Sequence, residues 1–193
     1  FERAIARLRT MEILVVGDGS RVAPERAVSR AAKSIWGHLR ETAPDSFIES
    51  YPNLARTWLM TTDAGIDWHD HLAVVDEIAA LQDPDVRDVT LLRQRLTSLA
   101  SYHLGDGQIE TVRRRVVIPT SLGLRTYDET LRGDLPPDTR RRLAERLPIA
   151  DEWDGSGLLW EMLGLRRLSS VVTLRAQHQG ARFDDSAASA LHE

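Results

Sequence analysis

The chain has 193 residues, 42% of them apolar and 28% charged, with a net charge of −4 and no cysteine. That length suffices for one full domain or two small ones. The acidic balance gives no global attraction to nucleic acid or to an anionic membrane, and the missing thiols exclude disulfides, a thiolate nucleophile and a Cys-bound metal, which suits a reducing cytoplasm.

Lys33 is the only lysine in a chain rich in Arg, Ala, Asp and Leu, a composition that points to a GC-rich bacterial genome. The chain opens on Phe1 inside a helical pattern, which leads us to expect a segment of a longer, multidomain protein. No apolar run approaches the roughly 18 residues that a membrane span needs. No signal peptide is visible.

Phe1, Ile5, Leu8, Met11 and Val15 recur at helical spacing. Two readings stay open there. Either the helix runs to about Val16, or it ends near Thr10 and Ile13–Val16 forms a strand that hairpins onto Arg21–Ala23 through Asp18-Gly19. Pro24 and Glu25 sit where a helix starts, and Val28, Ala31, Ala32, Ile35, Trp36 and Leu39 form a buried stripe that Ala43-Pro44 ends. Pro52 opens a short helix. Asp67 caps another, which carries Leu72, Val75, Ile78 and Leu81 and stops at Asp83-Pro84. Asp88 is expected to cap the next, which buries Leu92, Leu96 and Leu99 and closes at Gly105.

Beyond Gly105 the character changes. Gln108–Ile118 is rich in β-branched residues and reads as a strand that Pro119 ends. Asp134–Pro137 opens a helix through Leu147, Trp153–Gly157 is a turn, and Leu158–Leu163 is a helix capped by Gly164. Val171–Ala176 and Ala181–Phe183 read as a hairpin. The pattern predicts an α+β protein: a predominantly helical region over 1–105 with winged-helix elements as one option, a mixed region of short strands and helices over 106–183, and a polar tail over 184–193.

Candidate chemistry is sparse. In Asp67-Trp68-His69-Asp70-His71, His69 and His71 would share a metal on a strand, where alternate side chains share a face. On a helix they point about 200° apart, and the Asp67 cap favours helix. A metal-dependent hydrolase centred on these two histidines is therefore an alternative rather than the main reading. Gly17-Asp18-Gly19-Ser20 lacks the third glycine of a dinucleotide loop, whose place is taken by Val22. No Gly-x-Ser-x-Gly elbow frames a serine. No cofactor is expected.

The basic clusters are Arg113-Arg114-Arg115 and Arg140-Arg141-Arg142. Helix, strand, Asp18-Gly19 turn and strand over the first 23 residues match the end of a winged-helix unit, and residues 69–118 repeat that order loosely. A winged-helix nucleic-acid binder is thus the second reading, with Arg113, Arg114, Arg115 and Arg21 as phosphate contacts. Winged-helix units also serve as protein-contact modules.

The string Val116–Gly123 followed by Leu124–Leu131, and then Leu163-Gly164-Leu165-Arg166-Arg167-Leu168-Ser169, resembles two phrases of very large proteins built around an Hsp90-like (GHKL-type) ATPase, the sacsin-like group. The resemblance covers about residues 110–176. It implies a segment outside the ATPase domain, because the helix-borne Asn, the Asp-x-Gly-x-Gly loop and the Gly-rich lid of that ATPase have no counterpart here. Asp18-Gly19 lacks the second glycine. What the resemblance carries over is a scaffold, substrate-contact or regulatory role.

The sequence as a whole therefore predicts a non-enzymatic interaction or regulatory module. Its partners would be other domains of a parent protein or a separate protein, with no membrane association. Such a module should expose an apolar patch of several hundred Å².

Overall fold

The computed structural model describes residues 2–59 and 66–172. It is an α+β structure with ten α-helices and three two-stranded sheets among those residues. Helix α1 (Glu2–Arg9) leads into an antiparallel hairpin of β1 (Leu14–Val15) and β2 (Arg21–Val22), so the strand reading of residues 13–16 is the one realised. Gly19, at φ 83°, makes the turn.

The next helix starts later than Pro24 suggests. Pro24 opens only a single 3₁₀ turn, and β3 (Ala27–Val28) then pairs in parallel with β4 (Glu41–Thr42). Helix α2 (Arg30–Trp36) begins at Ser29, whose hydroxyl accepts from Ala32 N. The hydroxyl cap sets the start because Ser29 can satisfy a free helix N–H and Pro24 cannot.

Helices α3 (Asp45–Ser50) and α4 (Pro52–Trp58) follow, and then two long helices. Helix α5 (Trp68–Ala79) has a capping box in which Asp67 accepts from Asp70 N while Asp70 accepts from Asp67 N. In α6 (Val86–Ala100) the cap is Asp85, not Asp88. Asp88 is its N3 partner, accepting from Asp85 N at 2.8 Å. The Asp-x-x-Asp spacing satisfies donors at both positions, so the helix begins one turn earlier than expected.

The largest correction lies at 106–115, which is helix α7 and not strand. Gly105 begins this helix rather than ending α6, and Gln108 Oε1 accepts from Gly105 N. Ile109, Val112 and Val116 repeat at three and four residues, and Val112 and Val116 are fully buried. The arginines at 113–115 then sit in the last turn, at the negative end of the helix dipole. Periodicity and charge placement outweigh β-branching here.

Strands β5 (Val117–Thr120) and β6 (Gly123–Thr126) form a hairpin. Pro119 lies inside β5 rather than ending it. Its carbonyl faces away from β6 and accepts from Asp151 N, so the missing N–H costs no bond to β6. Helices α8 (Pro137–Ala144), α9 (Ser156–Leu163) and α10 (Leu168–Val171) complete the described chain. Gly164 caps α9 at φ 64°, as the sequence indicates. The strand expected from Val171 is not realised at its start, because Val171 ends α10 and Val172 caps it; residues 173–183 of the expected hairpin and the tail from 184 lie outside the described residues.

The main core draws on both sides of residue 105. Ile35 and Trp36 of α2, Leu72 and Ile78 of α5, Leu92, Leu96 and Leu99 of α6, Val112 of α7, Ile118 of β5 and Leu159 and Leu163 of α9 meet there. A second, thinner cluster of Leu14, Ala27, Ala43, Ala55 and Leu59 lies under the first hairpin. A third joins Leu131, Ile149 and Leu168. No helix among the described residues is long and apolar enough to cross a membrane.

Candidate interaction surface

The two histidines of the Asp67–His71 segment fall in different surroundings, as the helical reading implies. His69 is exposed, stacked on Trp68 with ring centroids 3.7 Å apart, its Nδ1 lying 3.3 Å from Asp67 Oδ2. His71 is buried against Tyr102, and its Nδ1 has no hydrogen-bond partner among the described residues. Burial, and then the Arg95 charge, hold the His71 pKa below its ordinary value; Asp70 and Asp67 oppose this more weakly. The helix does not bring the pair together as metal ligands.

A different trio does converge. His38 Nε2 lies 2.6 Å from Asp88 Oδ1, and His38, Asp85 and Asp88 each offer one ligand atom within 4.8 Å of the others. Their oxygens are already engaged. Asp85 Oδ1 accepts from Arg87 N and Asp88 N, Asp85 Oδ2 accepts from the Arg87 guanidinium, and Asp88 Oδ2 accepts from Asp85 N. A cation would also meet the positive end of α6. The arrangement is a helix cap that latches the 3₁₀ turn at Gly37–Leu39 onto α6. The Asp-x-x-Asp half of it is readable in sequence; the histidine 47 positions before Asp85 is not.

The arginines at 113–115 are each drawn to a local partner. Arg113 Nε donates to Leu163 O at 2.8 Å, its guanidinium lies 5.4 Å from the Tyr127 ring centre, and Glu110 is 3.7 Å away. Arg114 Nε lies 3.1 Å from Glu110, and Arg115 pairs with Asp76 across to α5. Arg21 stands apart on β2, exposed and pointing to solvent. Structure does not gather the four into one cluster of free charge.

Among the described residues, the densest run of exposed apolar side chains comes from α1 and β1. Leu8, Met11, Ile13 and Val15 are each between 41% and 52% exposed, within eight consecutive residues. Along β1 the faces alternate, with Leu14 and Val16 inward and Ile13 and Val15 outward, as the two-residue period of a strand dictates. The cause lies beneath: the cluster under the hairpin is built largely from alanines, with Leu14 in it and Val22 packed against it. A second apolar layer has nowhere to go. Arg3, Arg7, Arg9 and Arg21 are exposed along the same segments.

No family model, no curated protein and no solved structure matches this chain.

Proposed function

We propose that this chain is a non-enzymatic interaction or regulatory module of a larger protein, in the role that the resemblance to sacsin-like, Hsp90-like ATPases implies. The observation that carries the reading is the exposed run of Leu8, Met11, Ile13 and Val15. Scattered exposed apolar side chains are ordinary; four in one short stretch mark a contact surface. Covering what these four expose would contribute on the order of 3–6 kcal/mol, offset by the cost of association, so further contacts from the partner would add to it. A photo-cross-linking side chain at Met11 or Val15 tests this against one at Val86, which is 82% exposed but isolated. A discrete adduct from positions 11 and 15 and none from 86 is expected. Equal labelling at all three, or none, removes the reading.

A second reading has one specific observation in its favour. Helices α5, α6 and α7 followed by the β5–β6 hairpin have the element order of a winged-helix unit, and Arg114 and Arg115 end its third helix. The acids that pair with them, Glu110 and Asp76, weigh towards protein contact and against phosphate. A duplex-DNA mobility assay separates the two. Binding that falls steeply with salt and disappears in R114A/R115A would favour nucleic acid, and no binding at low salt would leave the protein-contact reading alone.

A further inference from the structure

Helix α6 and the turn before α9 border an open surface groove of about 490 Å³ lined by Arg93, Arg95, Thr97, Ser98, Trp153 and Asp154, among others. Its two arginines differ. Arg93 is charge-balanced: it pairs with Asp151 at 2.7 Å and lies over the Trp153 ring, 5.7 Å from its centre. Arg95 is half-buried, and no carboxylate pairs with it among the described residues. Among the described residues its guanidinium makes one hydrogen bond, a long contact of 3.4 Å to the neutral amide of Gln94, and its buried Nε meets no acceptor. Arg40 and Arg93 also bury an unpartnered Nε, but each delivers its charge to an acid, Glu77 and Asp151. On the inner side lies His71, whose charged form burial and Arg95 both disfavour and which brings no negative charge to Arg95. Arg95 thus holds a guanidinium with five donors, partly stripped of water and without an anion among the described residues.

The wall around it is fixed. Trp153 Nε1 donates to Thr97 Oγ1 at 2.9 Å, Thr97 Oγ1 donates to Arg93 O at 2.9 Å, and Trp153 meets Trp160 edge-on at 5.1 Å. Gly155 lies so close to Thr97 that a Cβ there would come within 2.8 Å of its methyl group. Ordering costs on binding are therefore small.

We infer that Arg95 is the anchor of a binding site for an oxyanion group, a phosphate or carboxylate of a small-molecule ligand, in the groove walled by Trp153. A planar guanidinium fork matches either group in bidentate geometry. Asp154, the acid in the lining, favours a ligand carrying a single anionic group over a polyanion.

The Trp153 Nε1–H resonance is the reporter. It is followed by NMR during titration with inorganic phosphate, with acetate and with chloride at matched ionic strength. A saturable shift with phosphate or acetate and none with chloride is expected, weakened by about tenfold or more in R95M, as for the loss of one charge-assisted contact. The R125M control, on β6, should titrate like the parent. R95M should fold, because an apolar chain of similar length replaces an unbalanced charge. If it does not, R95K, which keeps the charge and loses the fork, takes its place with the same expected weakening. Absence of saturation with both oxyanions, or an R95M or R95K curve that superimposes on the parent's, overturns the inference.

Discussion

The two larger cores of this molecule solve burial in opposite ways. The central one is built from Leu, Ile, Val and Trp contributed mainly by five helices and two strands, and most of those side chains are fully buried. The one beneath the first hairpin is built mainly from alanine, and the large apolar residues next to it in sequence face outward. Burial scales with apolar area, so the first region stabilises the fold while the second holds a surface in place. Contact surfaces arise where a chain carries more apolar side chains than its local core has room for.

The sharpest way to break this contrast is a matched truncation. Leu96→Ala in α6 empties a fully enclosed site and should cost about 3–5 kcal/mol, read as a lowered urea midpoint. Leu14→Ala removes the same atoms from a thin cluster that can settle around the loss and should cost about 2 kcal/mol. Equal costs would mean that the hairpin is anchored as firmly as the centre.

Within the central region, Asp85→Ala strips the cap of α6 and unbalances the capping box, and should cost about 1 kcal/mol. Asp88→Ala should cost at least as much, because it also frees His38 from its 2.6 Å contact. If only Asp88→Ala is costly, the latch to the 3₁₀ turn matters and the cap does not.

How much of this was legible depends on which force dominated each segment. The caps of α5 and α9 were readable because Asp67 and Gly164 act on their own few residues. The α+β character was readable for the same reason. Helix α7 was misread because Ile109, Val112 and Val116 carry β-branched side chains whose choice of structure is made by packing against α5 and α9, which a local pattern does not contain. The His38–Asp88 contact spans 50 positions and the Arg93–Asp151 pair 58, so neither leaves a sequence signal. The isolation of Arg95 is harder still to read. It is the lack of an acid among the described residues, and only packing reveals a lack.

A pH series tests the central region electrostatically. The His71 pKa in the folded protein lies below its ordinary 6.5 because the ring is buried beside Arg95. As pH falls through about 6.5 the unfolded chain takes up this proton and the folded chain resists it. Stability that is full above 6.5 is therefore lost progressively towards the lower folded-state value. H71F removes the group, so the stability difference between parent and variant should shift in favour of the variant between pH 7 and pH 5. A constant difference across that range would mean that His71 protonates freely and is less enclosed than its packing indicates.

The smallest effect is the one the contrast depends on most. Met11→Ser combined with Val15→Thr alters two side chains that are 46% and 52% exposed and leaves Leu14 and Val16 in place. Because no core is emptied and no cap is lost, stability should stay within about 0.5 kcal/mol of the parent in urea. Binding of a hydrophobic dye such as ANS to the native protein should fall in the same variant. Large loss of stability would show that α1 and β1 belong to the folding core, and the apolar run would then be structural. Unchanged stability with reduced dye binding separates the surface from the fold, which a module that meets its partner through α1 and β1 requires.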